Sequence, residues 1–275
     1  MSGRFLIREA STVGPGISRL RVEAPRVADH ASPGQFVIVR ATGDGERVPL
    51  TICDHDRAAG TIVIIVQDVG RTTHELCALG TGDSLADVLG PLGQGTDIEM
   101  FGRCIVVAGG VGTAIALPVA RALSEAGNEV IAISGFGTAE QVILVDEMDS
   151  ATSESIVVTE DGSVGEAGLV TETLARIMTR TPADRVFAVG PIGMMKAVAG
   201  LTREPGIATV VSLNPIMVDG TGMCGGCRVS VGGKTRFACV DGPEFDAHMV
   251  DFDQLSARNA AYRSFEGCQM VLADD

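Results

Sequence analysis

Short apolar stretches separated by turn-forming residues make up the N-terminal third of the chain. β-branched residues are concentrated in Gly34–Arg40, Val48–Ile52 and Gly60–Val66. Runs of this length and composition predict β-strands. Because the strands follow one another closely and only Thr73–Leu79 has a helical pattern, the region is predicted to form an antiparallel barrel.

From Cys104 onward, strands and helices alternate. The predicted strands are continuous apolar runs, as in strands covered on both faces, and they occupy 104–108, 129–134, 155–159 and 185–190. Helices are predicted at 114–126, 138–148, 168–179 and 193–201, with Pro118 near the start of the first, where proline is tolerated. This order predicts a parallel α/β sheet with helices on both faces, which binds nucleotides at the carboxyl ends of its strands.

These patterns divide the chain into three predicted units. A β-barrel occupies 1–98, a nucleotide-binding α/β domain 99–210 and a small subdomain 211–275. The last unit contains a predicted helix within 244–275, which packs either on its own subdomain or on a partner protein.

The small subdomain carries the most specific motif. Asp219 is followed by Cys224, Cys227 and Cys239, which is the plant-type [2Fe–2S] spacing with an aspartate in the first position. Glycine at 220, 222, 225 and 226 suits a backbone that folds tightly round a cluster. Two alternatives stay open: a zinc site, although only one CxxC pair is present, and three buried structural thiols. We call residues 219–239 the cluster loop.

Two stretches of the barrel are candidates for binding a flavin. Arg47 lies next to a predicted strand, so its guanidinium can meet a pyrophosphate while Thr51 offers polar groups to the ring system. Gly70 leads into a short helix where backbone amides can bind phosphate. Either motif alone also suits a solvated arginine or an ordinary turn. Gly90–Gly95 is predicted to be the linker into the next domain and to form a turn beside the flavin, with a purely structural turn as the alternative.

Glycine-rich junctions follow two strands of the α/β domain. The first, Gly109–Thr113, can bring amides to a pyrophosphate but lacks the full G-x-G-x-x-G pattern. The second begins at Gly190 and leads into another helix. The alternative interpretation of this junction is an ordinary helix start with two methionines in the core. A 2′-phosphate needs a basic partner, yet Ser134–Glu140 has none and the next strand ends in Glu160 and Asp161. The sequence therefore favours NAD(H) over NADP(H).

Charge and cysteine content exclude several classes. The 21 basic and 35 acidic residues give a net charge of −14, which argues against nucleic acid as a partner. Seven cysteines form an odd set with one close cluster, as in proteins of a reducing compartment. No apolar run reaches the ~18 residues of a membrane span, and Met1–Phe5 lacks the features of a signal peptide. We expect a cytoplasmic protein.

Taken together, R-x-P-L-T, G-P-L-G-x-G, G-G-V-G-T-A, V-G-P-I-G-M-M and the cluster loop occur in the order found in the ferredoxin–NADP⁺ reductase superfamily. Along essentially its whole length, the chain resembles the iron–sulfur flavoprotein branch. That branch includes the electron-transfer subunit of dihydroorotate dehydrogenase and the small subunit of electron-bifurcating NADH-dependent ferredoxin:NADP⁺ oxidoreductase. Asp219 favours the second of these, which is known for an aspartate at that position.

The resemblance implies a set of cofactors and their contacts. FAD would be held by Arg47, Pro49, Leu50, Thr51, Gly70, Thr72 and Thr73. NAD(H) would lie over Gly109, Gly110, Gly112 and Thr113, beside Gly190, Pro191 and Met194. The [2Fe–2S] cluster would be bound by Asp219, Cys224, Cys227 and Cys239. Two departures are Pro49, where many relatives have a tyrosine, and Gly137, where many have an arginine.

The implied function is that of an oxidoreductase subunit without a catalytic side chain. NADH would be oxidised at FAD, and single electrons would leave through the cluster to a larger flavin and [4Fe–4S] subunit. Two alternatives remain, the electron-transfer subunit of dihydroorotate dehydrogenase and a redox-sensing module that performs no catalysis.

Overall fold

Two antiparallel sheets form the N-terminal unit of the computed structural model, which describes residues 5–271, with side chains as far as residue 261. Its elements are β1 (Phe5–Gly14), β2 (Ile17–Glu23), α1 (Pro25–His30), β3 (Phe36–Arg40), β4 (Val48–Thr51), β5 (Asp54–Asp56), β6 (Thr61–Gln67), α2 (Arg71–Cys77), β7 (Ser84–Leu85) and β8 (Asp87–Leu92). The sheet orders are β5-β6-β2-β1-β7 and β4-β3-β8. The predicted antiparallel barrel architecture is confirmed.

Two parts of the barrel differ from the prediction. Helix α1 was not predicted, because six residues are too few to show helical periodicity; it begins at Pro25 and buries Val27 and Ala28. Gly90 and Pro91 lie within strand β8 rather than in a turn, so the linker begins only after Leu92.

The rest of the chain contains the predicted alternation of strands and helices, followed by a small subdomain. The α/β elements are β9 (Arg103–Gly109), α3 (Gly112–Glu125), β10 (Glu129–Phe136), α4 (Val145–Ala151), β11 (Glu154–Thr159), β12 (Glu166–Ala167), α5 (Val170–Arg180), β13 (Arg185–Val189), α6 (Ile192–Arg203) and β14 (Ala208–Ser212). The subdomain elements are β15 (Arg228–Val231), β16 (Lys234–Phe237), β17 (Glu244–Asp246) and α7 (Phe252–Val271).

The central sheet has seven strands in the order β12-β11-β10-β9-β13-β14-β17. All its pairs are parallel except the last, where β17 runs antiparallel to β14. Alternate residues of β9 face opposite layers: Ile105 and Val107 share a core with α5 and α6, whereas Cys104 and Val106 share a core with α3 and α4. This alternation confirms the prediction of helices on both faces.

Three expectations for this region were wrong. The helix predicted at 138–148 is a short 3₁₀ turn at Ala139–Gln141 followed by α4, and the positive φ of Leu144 (58°) prevents one continuous helix. Helix α3 starts at Gly112, which puts Pro118 in its interior. Strand β14 continues the parallel sheet beyond the last strand that was predicted.

Strand β3 joins the barrel to the small subdomain. Val37 and Val39 belong to the barrel core. Phe36 and Ile38 point to the other face and share a core with Cys227 and Cys239. Because side chains alternate between the two faces of a strand, β3 packs on the barrel core with one face and on the cluster loop with the other. None of the helices within residues 5–271 is both long and apolar enough to cross a bilayer.

Candidate nucleotide, flavin and cluster sites

A cavity of about 530 Å³ opens at the carboxyl ends of the parallel strands. Its lining, which defines the nucleotide cavity, comes from glycine junctions and from the starts of helices α5 and α6: Gly109, Gly110, Gly135, Phe136, Gly137, Gln141, Glu160, Gly168, Leu169, Val170, Thr171, Pro191, Gly193, Met194 and Ala197. The volume lies in the usual range for small-molecule sites. Of the residues predicted to contact the dinucleotide, Gly109, Gly110, Pro191 and Met194 line this cavity.

The two predicted glycine junctions touch each other behind the cavity wall. A β-carbon at Gly190 would stand 3.0 Å from Gly109 Cα, and one at Gly109 would stand 2.7 Å from Pro191 Cδ. Gly112 is closed off as well, since its β-carbon would lie 2.7 Å from the Val189 carbonyl oxygen. Gly112 and Gly190 therefore permit the close approach of helix to strand. Neither they nor the buried Thr113 are among the residues that line the cavity.

Helices α3, α5 and α6 begin at this edge of the sheet. Their free N–H groups and aligned dipoles favour an anionic group such as a pyrophosphate. The α5 contribution, from Gly168 to Thr171, was missed in the sequence, although a glycine between a strand and a helix is the signal that identified the other two junctions.

Gln141, Glu160 and Thr171 are the polar residues other than glycine that line the cavity. Glu160 is the single charged residue among those that line it. The neighbouring Asp161 accepts hydrogen bonds from the Ser163 hydroxyl (2.6 Å) and backbone amide (3.0 Å), which lower the pKa of the Asp161 carboxyl. Asp161 thus stabilises its own loop, while Glu160 is the acidic residue that lines the cavity.

The predicted flavin strand β4 shares a face with the cluster-facing side of β3. Antiparallel pairing puts Pro49 opposite Ile38 and Thr51 opposite Phe36, and directly opposed residues lie on the same face. Arg47 has the same parity as Pro49 and is exposed. Leu50 points the other way and packs on the barrel core. Pro49 and Thr51 thus share one face, Arg47 directly precedes the strand, and Leu50 packs behind it.

At the second predicted flavin contact, the start of α2, one of the predicted hydroxyl groups is already hydrogen-bonded to the protein backbone. The Thr73 hydroxyl accepts hydrogen bonds from the amides of Val69 and Gly70 and donates one to the Gly70 carbonyl oxygen. Thr73 therefore closes the turn, as a capping residue does. The half-buried Thr72 carries the hydroxyl group that stays available here.

The cluster loop presents two pairs of predicted ligands. Cys227 and Cys239 are both buried, and their Sγ atoms lie 3.2 Å apart. Asp219 and Cys224 are joined through the backbone, since Asp219 Oδ2 accepts the Cys224 amide at 2.8 Å and Oδ1 accepts the Thr221 amide at 2.9 Å. These amides hold the pKa of Asp219 below its usual range.

The donor set fits an iron–sulfur group better than a single metal ion. Among the side chains described, those of residues 5–261, no group of three His, Cys, Asp or Glu is placed to hold one ion, whereas two ligand pairs suit a cluster with two irons. Burial and the adjacent Cys227 raise the pKa of the Cys239 thiol, so a bound metal would be needed to keep the thiolate. The Gly226 amide lies 3.4 Å from Cys224 Sγ and can donate to a ligating sulfur.

The linker between the barrel and the α/β domain, which begins after Leu92, forms hydrogen bonds with the small subdomain. The Gln94 amide and side chain donate to the carbonyl oxygens of Gly242 and Val240, at 2.7 and 2.8 Å. Thr96 Oγ1 donates to Glu244 Oε1 at 2.7 Å. Burial raises the pKa of the Glu244 carboxyl to about 7. Chemistry at this junction could not be predicted, because neither Glu244 nor Thr96 belongs to a motif.

Comparison with known proteins identifies the cluster loop and the chain around it. Residues 214–251 match the iron-sulfur cluster binding domain of dihydroorotate dehydrogenase B. A Thermotoga maritima protein described as a homolog of the dihydroorotate dehydrogenase B (NAD(+)) electron transfer subunit is 47% identical over 89% of this chain and 86% of its own length. The dihydroorotate dehydrogenase B (NAD(+)) electron transfer subunit of Geobacillus kaustophilus is 36% identical, over 90% of this chain and 97% of its own length. The chain belongs to this family of electron-transfer subunits.

A solved structure agrees with that assignment. The structure of an NADH-dependent reduced ferredoxin–NADP oxidoreductase, described in connection with flavin-based electron bifurcation, has a chain that is 42% identical, with a TM-score of 0.90. The match covers 98% of this chain and all of that one. Family members combine the ferredoxin-reductase-like fold with an iron–sulfur domain, so the predicted fold class and resemblance are confirmed. The family is one of oxidoreductase subunits that bind flavin, nucleotide and an iron–sulfur cluster.

Proposed function

We propose that this protein oxidises NADH at FAD and relays single electrons through a [2Fe–2S] cluster to a larger subunit that carries flavin and [4Fe–4S] clusters. When bound, FAD supplies two-electron chemistry with the dinucleotide and one-electron chemistry with the cluster. In this scheme 1–98 hold FAD, 99–210 hold the nucleotide and 211–275 hold the cluster. No side chain serves as an acid or base, and the chain contributes by positioning the nucleotide, FAD and the cluster relative to one another.

The contact between the cluster loop and strand β3 carries this proposal. Gly220 follows the predicted ligand Asp219 and packs directly on Ile38. Ile38 is paired with Pro49 of the predicted flavin strand. Pro49 of the candidate flavin strand therefore lies on the same face of the sheet as Ile38, on which the cluster loop packs, and this closeness is what a relay requires.

The nucleotide cavity supports NAD(H) as the electron donor. Gly109 and Gly110 leave room for a pyrophosphate close to the start of α3. None of the described residues that line the cavity is Lys or Arg, whereas Glu160 bears a negative charge. A 2′-phosphate would therefore meet repulsion without a compensating cation.

Each bound group is assigned to residues of this chain. FAD would be contacted directly by Arg47, Pro49, Thr51 and Thr72. The shape of its binding site would depend on Leu50, Gly70 and Thr73. Asp219, Cys224, Cys227 and Cys239 would bind the cluster. Ligation by free thiolates also favours a reducing compartment, and we place the protein in the cytoplasm.

The rim of the cluster loop favours a protein as the electron acceptor. Met223 is 88% exposed and stands next to the exposed Cys224. Val218 and Val240 add further exposed apolar surface in the same loop region. A partner that covers this rim would shield the cluster from water and shorten the path to its own cofactor.

Similarity to two kinds of system defines the leading proposal and its alternative. The match to the bifurcation-related structure over 98% of this chain favours a bifurcating ferredoxin:NADP⁺ oxidoreductase. The relatives named for dihydroorotate dehydrogenase B support the alternative, an electron-transfer subunit that serves dihydroorotate oxidation.

Anaerobically purified, cofactor-reconstituted protein tests the proposal. NADH should bleach the flavin absorption and then the cluster absorption, and an EPR signal of a reduced [2Fe–2S] cluster should follow. Bleaching of the flavin without reduction of the cluster would contradict the relay. Activity with a dihydroorotate-oxidising subunit, but none with a ferredoxin- and NADP⁺-reactive one, would select the alternative.

The Asp219→Cys variant tests ligation. If Asp219 binds iron, the visible and EPR spectra should change to those of an all-thiolate cluster. Unchanged spectra would leave Asp219 as a residue that only orders the loop through the Thr221 and Cys224 amides.

A further inference from the structure

The side chain of Gln141 fills the space beside Gly137 in the nucleotide cavity. The Gly137 amide donates to Gln141 Oε1 at 3.0 Å. A β-carbon at position 137 would stand only 2.6 Å from that oxygen. Gln141 thus occupies the room that a longer residue at position 137 would need.

This hydrogen bond fixes the orientation of the Gln141 amide. A backbone N–H can only donate, so the atom that meets Gly137 must be the carbonyl oxygen. The Nε2 group is left as the available donor, and no hydrogen bond joins it to another residue in the described part of the chain. Gln141 therefore has its Nε2 hydrogen atoms available to a ligand in the cavity.

The loop that carries Gln141 is held in place from the neighbouring strand. The Ala139 amide donates to Ser163 Oγ at 2.7 Å, and this hydroxyl donates to Asp161 Oδ1 at 2.6 Å. Such fixed hydrogen bonds reduce the entropy lost when a ligand is bound.

Glu160 lies on the other side of Gly137. The Glu160 amide donates to the Phe136 carbonyl oxygen at 3.0 Å, and the Asp161 amide donates to that of Gly137 at 3.3 Å. The backbone of Glu160 thus runs beside that of Gly137, whose amide meets the Gln141 side chain. Gln141 and Glu160 are both among the residues that line the cavity.

We propose that Gln141 and Glu160 together recognise the free ribose hydroxyl groups of the adenosine half of NAD(H). Gln141 Nε2 donates to one ribose oxygen, and the Glu160 carboxylate accepts a hydrogen bond from a ribose hydroxyl. A 2′-phosphate has no hydrogen for Glu160 at neutral pH and brings a like charge next to it. Glu160 is thereby the residue that disfavours a 2′-phosphate, and Gln141 adds affinity for the ribose, at the dinucleotide site assigned under the proposed function, on which this inference rests.

Isothermal titration of the full-length, FAD- and cluster-loaded protein with NAD⁺ and NADP⁺ tests the inference. Gln141→Glu keeps an oxygen for the Gly137 amide but replaces the donor, so NAD⁺ affinity should fall about 3- to 10-fold, the effect of one hydrogen bond. Glu160→Gln removes the repulsive charge, so the preference for NAD⁺ over NADP⁺ should narrow by about 5-fold or more. Gln254→Glu makes the same change on an exposed part of α7 and should alter neither affinity.

The outcomes distinguish a failure of this inference from a failure of the proposed function on which it rests. If NAD⁺ binds to the wild type but both variants keep its affinity and its preference over NADP⁺, the role of Gln141 and Glu160 is wrong while the nucleotide site stands. If neither dinucleotide binds to the wild type, the proposed function fails and the inference with it. Melting temperatures close to the wild-type value show that a loss of binding is not a loss of fold.

Discussion

Gly220 in the cluster loop lies so close to Ile38 of strand β3 that a β-carbon at position 220 would stand 2.9 Å from Ile38 Cγ1. Leu92 Cδ1 would be 2.8 Å from the same point. The loop backbone therefore rests on the barrel with no side chain between them. This contact sets the separation of the predicted flavin strand from the predicted cluster.

Replacing Gly220 by alanine should lift the cluster loop from the barrel. Gly220 has φ +73°, so alanine also meets the strain of a left-handed conformation, roughly 1–2 kcal/mol. Gly233→Ala is a matched control, because Gly233 has φ +72° and nothing lies within 4 Å of its β-carbon position. We expect Gly220→Ala to be less stable than the control by about 1–3 kcal/mol, the typical effect of overpacking.

Stopped-flow reduction by NADH measures the functional effect of Gly220→Ala. Flavin bleaching should keep its rate, while reduction of the cluster should slow relative to the Gly233→Ala protein. Equal stability and equal cluster reduction in the two variants would show that the contact does not position the loop.

Much of the fold follows from local patterns in the sequence. The apolar run from Cys104 to Ala108 predicts a strand covered on both faces, because both sets of alternate side chains are apolar. The spacing of Cys224, Cys227 and Cys239 marks the cluster loop without any knowledge of the tertiary structure. Glycines that precede helices likewise mark the edge of the sheet where the cavity opens.

Other features depend on contacts between distant residues, and local patterns do not report them. Gly112 has the sequence context of a phosphate-binding glycine, and the sequence does not reveal that its β-carbon position is also closed off by the Val189 carbonyl oxygen. Gln141 belongs to no motif, and its position beside Gly137 depends on the 3₁₀ turn that replaces the predicted helix. Thr73 resembles a ligand-binding hydroxyl until its three backbone partners are known.

Gly109→Ala should weaken dinucleotide binding. Its new methyl group would stand 2.7 Å from Pro191 Cδ and 2.9 Å from Met194 Sδ, so both residues must move toward the nucleotide cavity. Gly200→Ala is the control, since it lies in helix α6 with no atom within 4 Å of its β-carbon position. We expect NAD⁺ affinity to fall roughly 10-fold or more in the first variant, an effect of about 1.4 kcal/mol, and to be unchanged in the second. Equal NAD⁺ affinities of the two variants would show that the close packing at Gly109 does not shape the dinucleotide site.

Arg47→Ala should lower the affinity for FAD. The exposed Arg47 directly precedes β4, the strand of Pro49 and Thr51, where its guanidinium can pair with a pyrophosphate. Loss of a charge-assisted hydrogen bond corresponds to about 1.5–3 kcal/mol, or roughly 10- to 150-fold in the dissociation constant. Fluorescence titration of apoprotein with FAD measures it. Arg57→Ala, an exposed arginine elsewhere in the barrel, should bind FAD as the wild type does, and a similar loss in both variants would indicate a general charge effect.

Glu244→Gln should stabilise the protein at alkaline pH. Burial raises the pKa of Glu244 from 4.5 to about 7, against the opposing effects of the Thr96 hydrogen bond and the charge of Arg185 and with a small contribution from Asp97. The folded state therefore holds the proton more tightly than the unfolded state, so this stabilisation is complete below about pH 4.5 and is lost as pH rises to about 7. Glutamine can still accept the Thr96 hydrogen bond but has no charge to desolvate.

The gain from Glu244→Gln should thus appear only on the alkaline side. A shift of this size corresponds to about 3–4 kcal/mol at most, or roughly 5 °C or more in melting temperature for a chain of this length. Thermal unfolding at pH 8 should show the increase, and at pH 5 the two proteins should melt close together. Glu204→Gln changes an exposed carboxylate and should leave both temperatures unaltered. A stabilisation that is equal at both pH values would mean that the proton of Glu244 is not responsible.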